Sequence, residues 1–535
     1  MSQVQEQLAS PPPEDIAIAA PKSLGRLLFS GSSALGFATL MERGLGFAAN
    51  LAAARLGGAH VFGAYSVAMT TANNVASYAG AGIGTTANRF SGEYPFAGQG
   101  YRGLLRALAL VSLASAALAA TILWFAAGPL AVHLIRNPAL TQLLRFAAIS
   151  AGAIILLECL RGLLIGQRRF AGLVTLSVLF GGGMAIVLPL TARHGASEMV
   201  VGQAMIALSA IFVCVAAARK LGFAPPRSLA PDTHGPRPGV IVRFGFVQLV
   251  GMIGINAAGW WIASLVARAD ITLVQAGWYS VAAQMRNICA MPAWLISQTA
   301  YAQLTENGAH GYGGTRRVTV LSTIVATVVS LLIAGPAAAL MPWILPRLYG
   351  GDFAGAEFAA TLAVATGLIH MSAAPAAARL TVVSLPLTGI INGVWSALLI
   401  GLGTWMVAGG GAAQAALCFL GAHLFAAIAV LLTLLRLGSA SRELALVTMP
   451  AILGSVLIAG LGWLRAFGSH KAALSVGMLV ATAGLLWIAL QHGRKSSEAI
   501  RELTISKIAS ALLGRRGLAF SQASSKYQSS PQANQ

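Results

Sequence analysis

A six-residue phrase occurs twice in this sequence, and the repeat constrains what the chain can fold into. Gly63-Ala64-Tyr65-Ser66-Val67-Ala68 returns 214 residues later as Gly277-Trp278-Tyr279-Ser280-Val281-Ala282. Each copy opens a long apolar run, and each follows another apolar run that ends in Ala-Arg, at Ala54-Arg55 and at Ala267-Arg268. This shared neighbourhood of helix, short turn and helix predicts a duplicated helical bundle, which favours a transporter over an enzyme.

Composition places the chain in a membrane. Charged residues make up 9% of it and hydrophobic residues 57%, whereas an ordinary soluble domain has about 25% charged residues. The net charge of +20 does not indicate nucleic acid, because the basic residues lie singly or in pairs between apolar runs rather than in a stripe with aromatics. The four cysteines fall inside apolar runs without metal-ligand spacing, so no metal or cofactor is expected.

Fourteen apolar runs are long enough to cross a bilayer as helices, and they lack the alternation of membrane strands. They begin near Leu27, Val61, Leu104, Leu143, Ala171, Ser197, Val240, Ile271, Val318, Ala354, Leu380, Gly411, Glu443 and Ala472. The predicted fold class is therefore all-α and polytopic, with two parallel six-helix bundles and two C-terminal helices. The segments are an N-terminal tail (1–26), a first bundle (27–218), a proline-rich linker (219–239), a second bundle (240–436), two added helices (442–491) and a basic tail (492–535).

The distribution of Lys and Arg predicts the orientation. With the N-terminus inside, the inner segments hold 25 basic residues and the outer ones 8. This bias predicts a multi-pass protein of a bacterial inner membrane with both termini in the cytoplasm. The tail from Arg494 to Lys526 carries apolar residues at helical spacing and could lie on anionic lipid, although plain disorder is an equal alternative.

Few charges lie within the apolar runs. The first run holds Glu42 and Arg43, the fourth Glu158 and Arg161, and the eighth Arg286. A charge at mid-membrane costs about 2.5 kcal/mol or more, so each of these side chains should face a partner or a wet cavity. Glu158 and Arg161 are three residues apart and could pair on one helix face as a structural salt bridge.

Arg43 and Arg286 are the candidate ligands of an anionic substrate. Arg286 has no acidic residue in its own run, and the adjacent Glu42 points about 100° away from Arg43 on an α-helix. Guanidinium groups bind phosphate oxygens in a bidentate way and stay charged at physiological pH. The alternative is pairing between helices, for example of Glu42 with Arg286.

Other polar residues in the runs give weaker signals. Asn50, Asn73, Asn256 and Asn287 could line a substrate cavity or could hold helices together. His370 is alone in its run, which favours a hydrogen-bonded core histidine over a proton relay. Because the sequence contains no phosphate-binding loop, no paired carboxylates and no nucleophile constellation, we do not expect an enzyme.

Two segments resemble Wzx-type polysaccharide flippases. Residues 54–90 have a leucine-glycine turn, a Phe-Gly-x-Tyr sequence and a glycine-rich end with an arginine, like the second-helix region of that family. Residues 277–304 resemble its eighth-helix region, but Tyr301-Ala302 stands where family members usually have a proline after the aromatic residue. The resemblance extends to the architecture of residues 25–490.

This resemblance implies two six-helix bundles around a central cleft, as in the multidrug/oligosaccharidyl-lipid/polysaccharide exporter superfamily. It implies a substrate of oligosaccharide on undecaprenyl pyrophosphate, flipped for exopolysaccharide or O-antigen synthesis, with a polysaccharide polymerase and a chain-length regulator as partners. Arg43 and Arg286, with Asn50, Asn73, Asn256 and Asn287, would bind this substrate. Glu42 would carry a coupled proton.

Three other functions stay open at this point. A multidrug antiporter of the same superfamily would bind cations with carboxylates, whereas this chain places more arginine than acid in its helices. A lipid II flippase would share the fourteen helices and a cationic cavity. A membrane polysaccharide polymerase or ligase would need a sizeable outer loop, but the longest polar segments, 219–239 and 305–317, are assigned inside.

Overall fold

The structure, a computed structural model, describes residues 24–80, 82–94, 96, 100–224, 235–308, 312–438 and 442–495. Within these ranges the chain forms helices and their connections and no strand. The α-helices are α1 (Leu24–Ala79), α2 (Ile83–Glu93), α3 (Tyr101–Pro129), α4 (Leu140–Gly166), α5 (Phe170–Ala192), α6 (Ala196–Ala216), α7 (Pro238–Ala269), α8 (Val274–Gly308), α9 (Tyr312–Tyr349), α10 (Glu357–Val383), α11 (Leu385–Met406), α12 (Ala412–Arg436), α13 (Arg442–Phe467) and α14 (Lys471–Lys495).

Helix α1 consists of two helical segments that are separated by a break in the backbone. Gly58 has φ 73° and ψ 175°, a conformation that residues with a Cβ rarely adopt. The break divides α1 into a first limb, residues 24–57, and a second limb, residues 59–79, which correspond to the first two predicted runs. The short helix α2 follows the second limb after a turn at Gly82.

The helices form the two predicted bundles. Helices α1 to α6 pack mainly on one another, with α1 against α5 and α3 against α4, and α7 to α12 do the same around α10. Counting α1 twice and α2 with its second limb, each bundle has six crossings. The added helices α13 and α14 pack on α9 and α10 of the second bundle. The predicted fold class is confirmed.

Ten of the described helices are long and apolar enough to span a membrane. Helices α1 and α8 supply most of the polar residues that line the space between the bundles. Polar residues are expected there, because this part of their surface faces a wet cavity rather than lipid.

The predicted start of the eleventh run differs in the structure. The prediction places it near Leu380, but α10 continues to Val383 and α11 begins at Leu385. Ser384 between them is extended (φ −154°, ψ 93°), as expected of the residue that precedes the first turn of a helix, and Pro386 stands in the first turn of α11. The N-terminal tail to residue 23 and the tail beyond residue 495 lie outside the described residues, and the two alternatives for the basic tail, lipid binding and disorder, stay open.

A buried arginine attaches α13 to the second bundle. Arg465 has no exposed surface, and it forms an ion pair with Glu357 of α10 at 2.8 Å. Its guanidinium also donates to the carbonyl oxygen of Ala338 (2.9 Å) and to the hydroxyl groups of Thr361 (2.8 Å) and Ser475 (3.0 Å). Because these partners come from α9, α10 and α14, one side chain joins four helices.

Candidate substrate cleft

A cavity of about 790 Å³ lies between the two bundles. Its wall comes from α1, α5 and α6 on one side and from α7, α8, α10, α11 and α12 on the other. Six of the seven predicted site residues line it: Glu42, Arg43, Asn50, Asn73, Arg286 and Asn287. We call this space the central cleft.

The duplicated phrase forms the contact that closes one end of the cleft. A Cβ on Gly63 would overlap the carbonyl oxygen of Leu273 and lie 2.8 Å from the amide nitrogen of Gly277. A Cβ on Gly277 would overlap the carbonyl oxygen of Ala59, which is the repeat counterpart of Leu273. The two halves therefore touch in a reciprocal way about a local two-fold axis, and glycine is required on both sides because backbone meets backbone.

Polar contacts from side chain to backbone reinforce the same end. The guanidinium of Arg55 donates to the carbonyl oxygen of Arg347 (2.7 Å), and the indole of Trp278 donates to that of Asp352 (2.8 Å). The Nδ1 of His60 lies 2.5 Å from the carbonyl oxygen of Thr272. We call this the sealed end of the cleft.

The repeat also gives the cleft a matched polar lining. Tyr65, Ser66 and Asn73 line it from the first bundle, and their counterparts Tyr279, Ser280 and Asn287 line it from the second. The two asparagines are both exposed to the cavity. The tyrosines differ, since Tyr65 donates to the side-chain oxygen of Gln203 whereas Tyr279 packs on Phe419 with ring centroids 6.3 Å apart. Gln203 was not singled out from the sequence.

On the first bundle the charges are paired. Arg161 bridges Glu158 on its own helix and Glu42 on α1, and the hydroxyl of Ser177 donates to Glu42 at 3.1 Å. The predicted pair of Glu158 with Arg161 is confirmed. The alternative pairing of Glu42 with Arg286 is wrong, because Arg161 takes that carboxylate.

The other predicted residues of the first bundle lie on the cleft wall. The side chain of Arg43 is exposed, and Asn50 donates to the carbonyl oxygen of Gly46 one turn earlier (2.9 Å). Both side chains line the cavity. Asn50 thus keeps its amide oxygen for another partner.

The predicted residue Asn256 does not line the central cleft. It lies on a neighbouring cavity of about 400 Å³, together with Glu158 and Arg161. Its carbonyl oxygen accepts a hydrogen bond from the side chain of Asn74 (2.8 Å), so this part of α7 is joined to the second limb of α1. Register explains the difference, because Ile255 and Gly259, four residues apart on one face of α7, line the cleft, and Asn256 is turned about 100° from Ile255.

On the second bundle Arg286 stands without a carboxylate. Its side chain is half-buried, and its guanidinium carbon lies 4.9 Å from the ring centroid of Phe419. Among the described residues no acidic group lies within ion-pair distance of it. Glu42 is the one acidic residue in the described part of the cleft wall, and it is paired with Arg161.

Two histidines lie next to Arg286, and they correct the prediction for His370. His370 is not a solitary core residue, since it is exposed to the cleft and its ring centroid lies 4.8 Å from that of His423 on α12. Trp395 of α11 packs on His423 at 5.3 Å. The sequence analysis missed His423 because nothing along the chain connects α10 with α12. We call Arg286, His370 and His423 the histidine–arginine cluster.

No site for a metal ion was found in the described residues, in which no group of three or more His, Cys, Asp or Glu side chains comes together. The four cysteines are buried and unpaired. Burial of all four fits packing inside the bundles, as predicted.

Comparison with solved structures identifies the arrangement of helices. A MATE protein in complex with MaL6 superposes with a TM-score of 0.51 at 12% sequence identity, over 77% of this chain and 98% of that one. This chain has the fold of that protein. Other similar structures include a multidrug resistance MATE family transporter of the MOP superfamily, in an inward-facing conformation (TM-score 0.48, 14% identity, 85% of this chain and 96% of that chain) and an outward-facing one (0.46, 12%, 90% and 99%).

At this level of identity the comparison establishes the fold alone. No protein-family model matches the chain, and no curated protein matches it. The nature of the substrate has to be argued from the side chains of the cleft.

Proposed function

We propose that this protein is a flippase that moves an oligosaccharide linked to undecaprenyl pyrophosphate across the bacterial inner membrane, for exopolysaccharide or O-antigen synthesis. The head group would enter the central cleft while the lipid chain stays in the bilayer. The two bundles would rock about the sealed end to expose the cleft to either side. With both termini in the cytoplasm, the sealed end faces outward and the cleft receives substrate from the cytoplasmic leaflet.

One observation carries the proposal: Arg286 lines the cleft, and no carboxylate of the described residues lies beside it. An arginine at membrane depth requires an anionic partner or water. Because Glu42 is already paired with Arg161, an anionic substrate would supply the partner of Arg286. A pyrophosphate offers oxygens that match the guanidinium fork.

The rest of the cleft suits a sugar-bearing head group. Asn73 and Asn287 expose amide groups from the two halves, and Tyr65, Tyr279 and Trp395 add aromatic surface. Amides and aromatic rings together provide hydrogen bonds and stacking surface for a polar ring. The cavity of about 790 Å³ is within the roughly 300–1,000 Å³ typical of small-molecule sites.

A multidrug antiporter is the second candidate, and the shared fold with a MATE protein favours it. A cationic drug would need an available carboxylate, however, and the described cleft wall offers Glu42 alone, in an ion pair. A lipid II flippase is the third candidate. Its substrate also carries a pyrophosphate, so the charge of the cleft does not separate it from the proposed function.

The test uses a deletion strain in which the lipid-linked oligosaccharides are assigned to a membrane leaflet. We expect them to accumulate on the cytoplasmic leaflet while surface polysaccharide disappears, and the wild-type protein to reverse both effects. Normal surface polysaccharide with new drug sensitivity would support the antiporter. Arrest of cell-wall synthesis with accumulation of lipid II would support the lipid II flippase.

Arg286→Ala tests the anion site directly. Truncation of a buried charge partner costs about 2 kcal/mol or more, which corresponds to roughly thirtyfold in affinity. We expect this variant to insert normally and to leave the deletion phenotype unchanged. We expect Arg286→Lys to restore only part of the transport, because the point charge of an ammonium cannot replace the bidentate guanidinium. Arg193→Ala is the matched control, since Arg193 is exposed after α5 and outside the cleft. Full transport by well-expressed Arg286→Ala would exclude the proposed anion site.

A further inference from the structure

We propose that the histidine–arginine cluster binds the anionic head group together with one proton, which is taken up by the His370–His423 pair. This inference rests on the proposed function and adds a second, titratable cation to the site of Arg286. The affinity for substrate then depends on pH, because the two histidines of the second bundle take up a proton.

The geometry of His423 shows where the proton would go. Its Nδ1 lies 2.8 Å from the carbonyl oxygen of Phe419, one turn earlier on α12. A carbonyl oxygen only accepts, so Nδ1 holds a hydrogen and Nε2 has the lone pair in the neutral ring. Uptake of a proton by His423 therefore forms an N–H bond at Nε2 and leaves the helix hydrogen bond in place.

The pair can hold one proton more easily than two. The rings of His370 and His423 stand at 86° to each other with centroids 4.8 Å apart. Two imidazolium charges at that distance would repel each other, so the rings titrate as one coupled unit.

Arg286 lies beside the pair. A Cβ on Gly367, one turn before His370 on α10, would lie 3.5 Å from Cγ of Arg286. The guanidinium packs on Phe419, whose ring is stacked on His423 with centroids 6.1 Å apart. The cluster thus carries one fixed positive charge that opposes a second one, and an anion between them would remove this opposition.

No nearby carboxylate of the described residues can take the place of the anion. The other ionisable side chains among the described residues of the elements packed against α10 and α12, or across the cleft, are Glu42, Arg43, Tyr65, Arg243, Arg268, Tyr279, Cys289, Arg347, Tyr349, Asp352, Glu357, Arg379, Cys418, Arg436, Glu443 and Arg465. Asp352 lies at the sealed end, where a Cβ on Gly58 would be 2.9 Å from its carboxylate. Glu42 is paired with Arg161, and Glu357 with Arg465 and Lys471. Glu443 already has a partner and stands in the first turn of α13, at the opposite end from Arg465.

The charges then balance. A pyrophosphate diester bears two negative charges, and Arg286 supplies one positive charge. A proton from solvent, bound to one imidazole nitrogen, supplies the other, and it returns to solvent when the head group leaves. By linkage, whatever factor the proton adds to anion affinity, the anion adds to proton affinity.

Isothermal titration calorimetry on the full-length protein in nanodiscs tests this inference. The probe is farnesyl-diphospho-N-acetylglucosamine, a diester that stays fully ionised above about pH 5 because it lacks the titrating hydroxyl of a phosphate monoester. Titrations in buffers of different ionisation enthalpy count the protons taken up. We expect uptake approaching one proton per probe, and a Kd that weakens by up to about tenfold per pH unit as pH rises through the titration of the pair.

A double variant tests whether the histidine pair is the proton acceptor. In the double variant His370→Gln/His423→Gln we expect binding to be weaker at acidic pH, independent of pH and without proton uptake. His194→Gln is the matched control, because His194 is exposed between α5 and α6. Binding by the wild type without proton uptake, or uptake that persists in the double variant, overturns this inference alone. No binding of the probe at any pH overturns the proposed function as well.

Discussion

The two halves of the cleft have matching residues from the repeat but differ in their charged residues. Tyr65, Ser66 and Asn73 on α1 match Tyr279, Ser280 and Asn287 on α8, and all of them line the cavity. Beside these matching residues, the first bundle has two carboxylates, those of Glu42 and Glu158, in ion pairs with Arg161. Among its described residues, the second bundle places an arginine and two histidines on the cleft and no carboxylate.

The comparison shows which features the duplication fixes. Backbone contacts between the halves must be reciprocal, so the glycines at 63 and 277 stand in equivalent positions. Side chains on the cleft are not under that geometric constraint, and the two faces have taken different charges. An ion pair also joins the second bundle to the added helix α13, between Glu357 and Arg465, but it lies away from the cleft.

The largest effect on stability is expected from removing Arg465, the buried arginine that attaches α13 to the second bundle. Loss of one partner of a buried ion pair costs about 3–5 kcal/mol, and Arg465→Met also leaves the carbonyl oxygen of Ala338 and the hydroxyl of Thr361 without their donor. Arg161→Met should cost less, since that side chain is 22% exposed and its partner Glu158 44%. Thermal unfolding in one detergent compares the two. A larger loss of Tm in Arg161→Met would contradict the assignment of Arg465 as the main structural charge.

The sequence predicted the arrangement of helices better than the partners of the charged residues. Long apolar runs, a repeated phrase and a proline-rich linker were enough for two bundles of helices, because these are local properties of the chain. The close pairing of Glu158 with Arg161 was also local. The partner of Glu42 is 119 residues away in Arg161, and that of His370 is 53 residues away in His423. Neither could be found without knowing which helices are neighbours.

The reciprocal contact at the sealed end predicts equal effects from its two sides. Gly63→Ala and Gly277→Ala each place a methyl group against the opposing backbone, and such overpacking costs about 1–3 kcal/mol. We expect both variants to lengthen the distance between spin labels at Val132 of the first bundle and Trp405 of the second, which are both exposed. Gly421→Ala is the control, because a Cβ there has nothing within 4 Å. A shift in one variant only would show that the contact is not reciprocal.

A severalfold effect on turnover is expected from Glu42→Gln. Arg161 has Glu158 as a second partner, so Glu42 can accept a proton without leaving that arginine unpaired. If Glu42 carries the coupled proton, the variant slows transport and flattens its dependence on pH. Binding of the diphosphate probe should keep its pH dependence, since that property belongs to the other bundle. An unchanged pH profile of transport would remove Glu42 from the coupling mechanism.

The smallest effect is expected at the joint between paired crossings, which the two halves build differently. In the first bundle the joint is Gly58, at φ 73°. In the second bundle the carboxylate of Asp270 accepts from the amide groups of Thr272 and Gln275, both at 2.9 Å. Partial burial raises the pKa of Asp270, but the hydrogen bonds from Gln275 and Thr272 lower it by more, so the pKa lies below its ordinary value.

A lowered pKa fixes the sign of the pH dependence at this joint. The ionised Asp270 stabilises the folded state fully above the unfolded pKa of about 3.9, and this contribution is lost as pH falls through the lower folded pKa. Asp270→Asn should therefore lower Tm at neutral pH, with a loss in the free energy of unfolding of less than about 1 kcal/mol. At strongly acidic pH it should leave Tm unchanged. Gly58→Ala should cost about 1–2 kcal/mol at every pH, since its strain is steric. A loss in Asp270→Asn that is equal at all pH values would show that the carboxylate charge does not stabilise the turn.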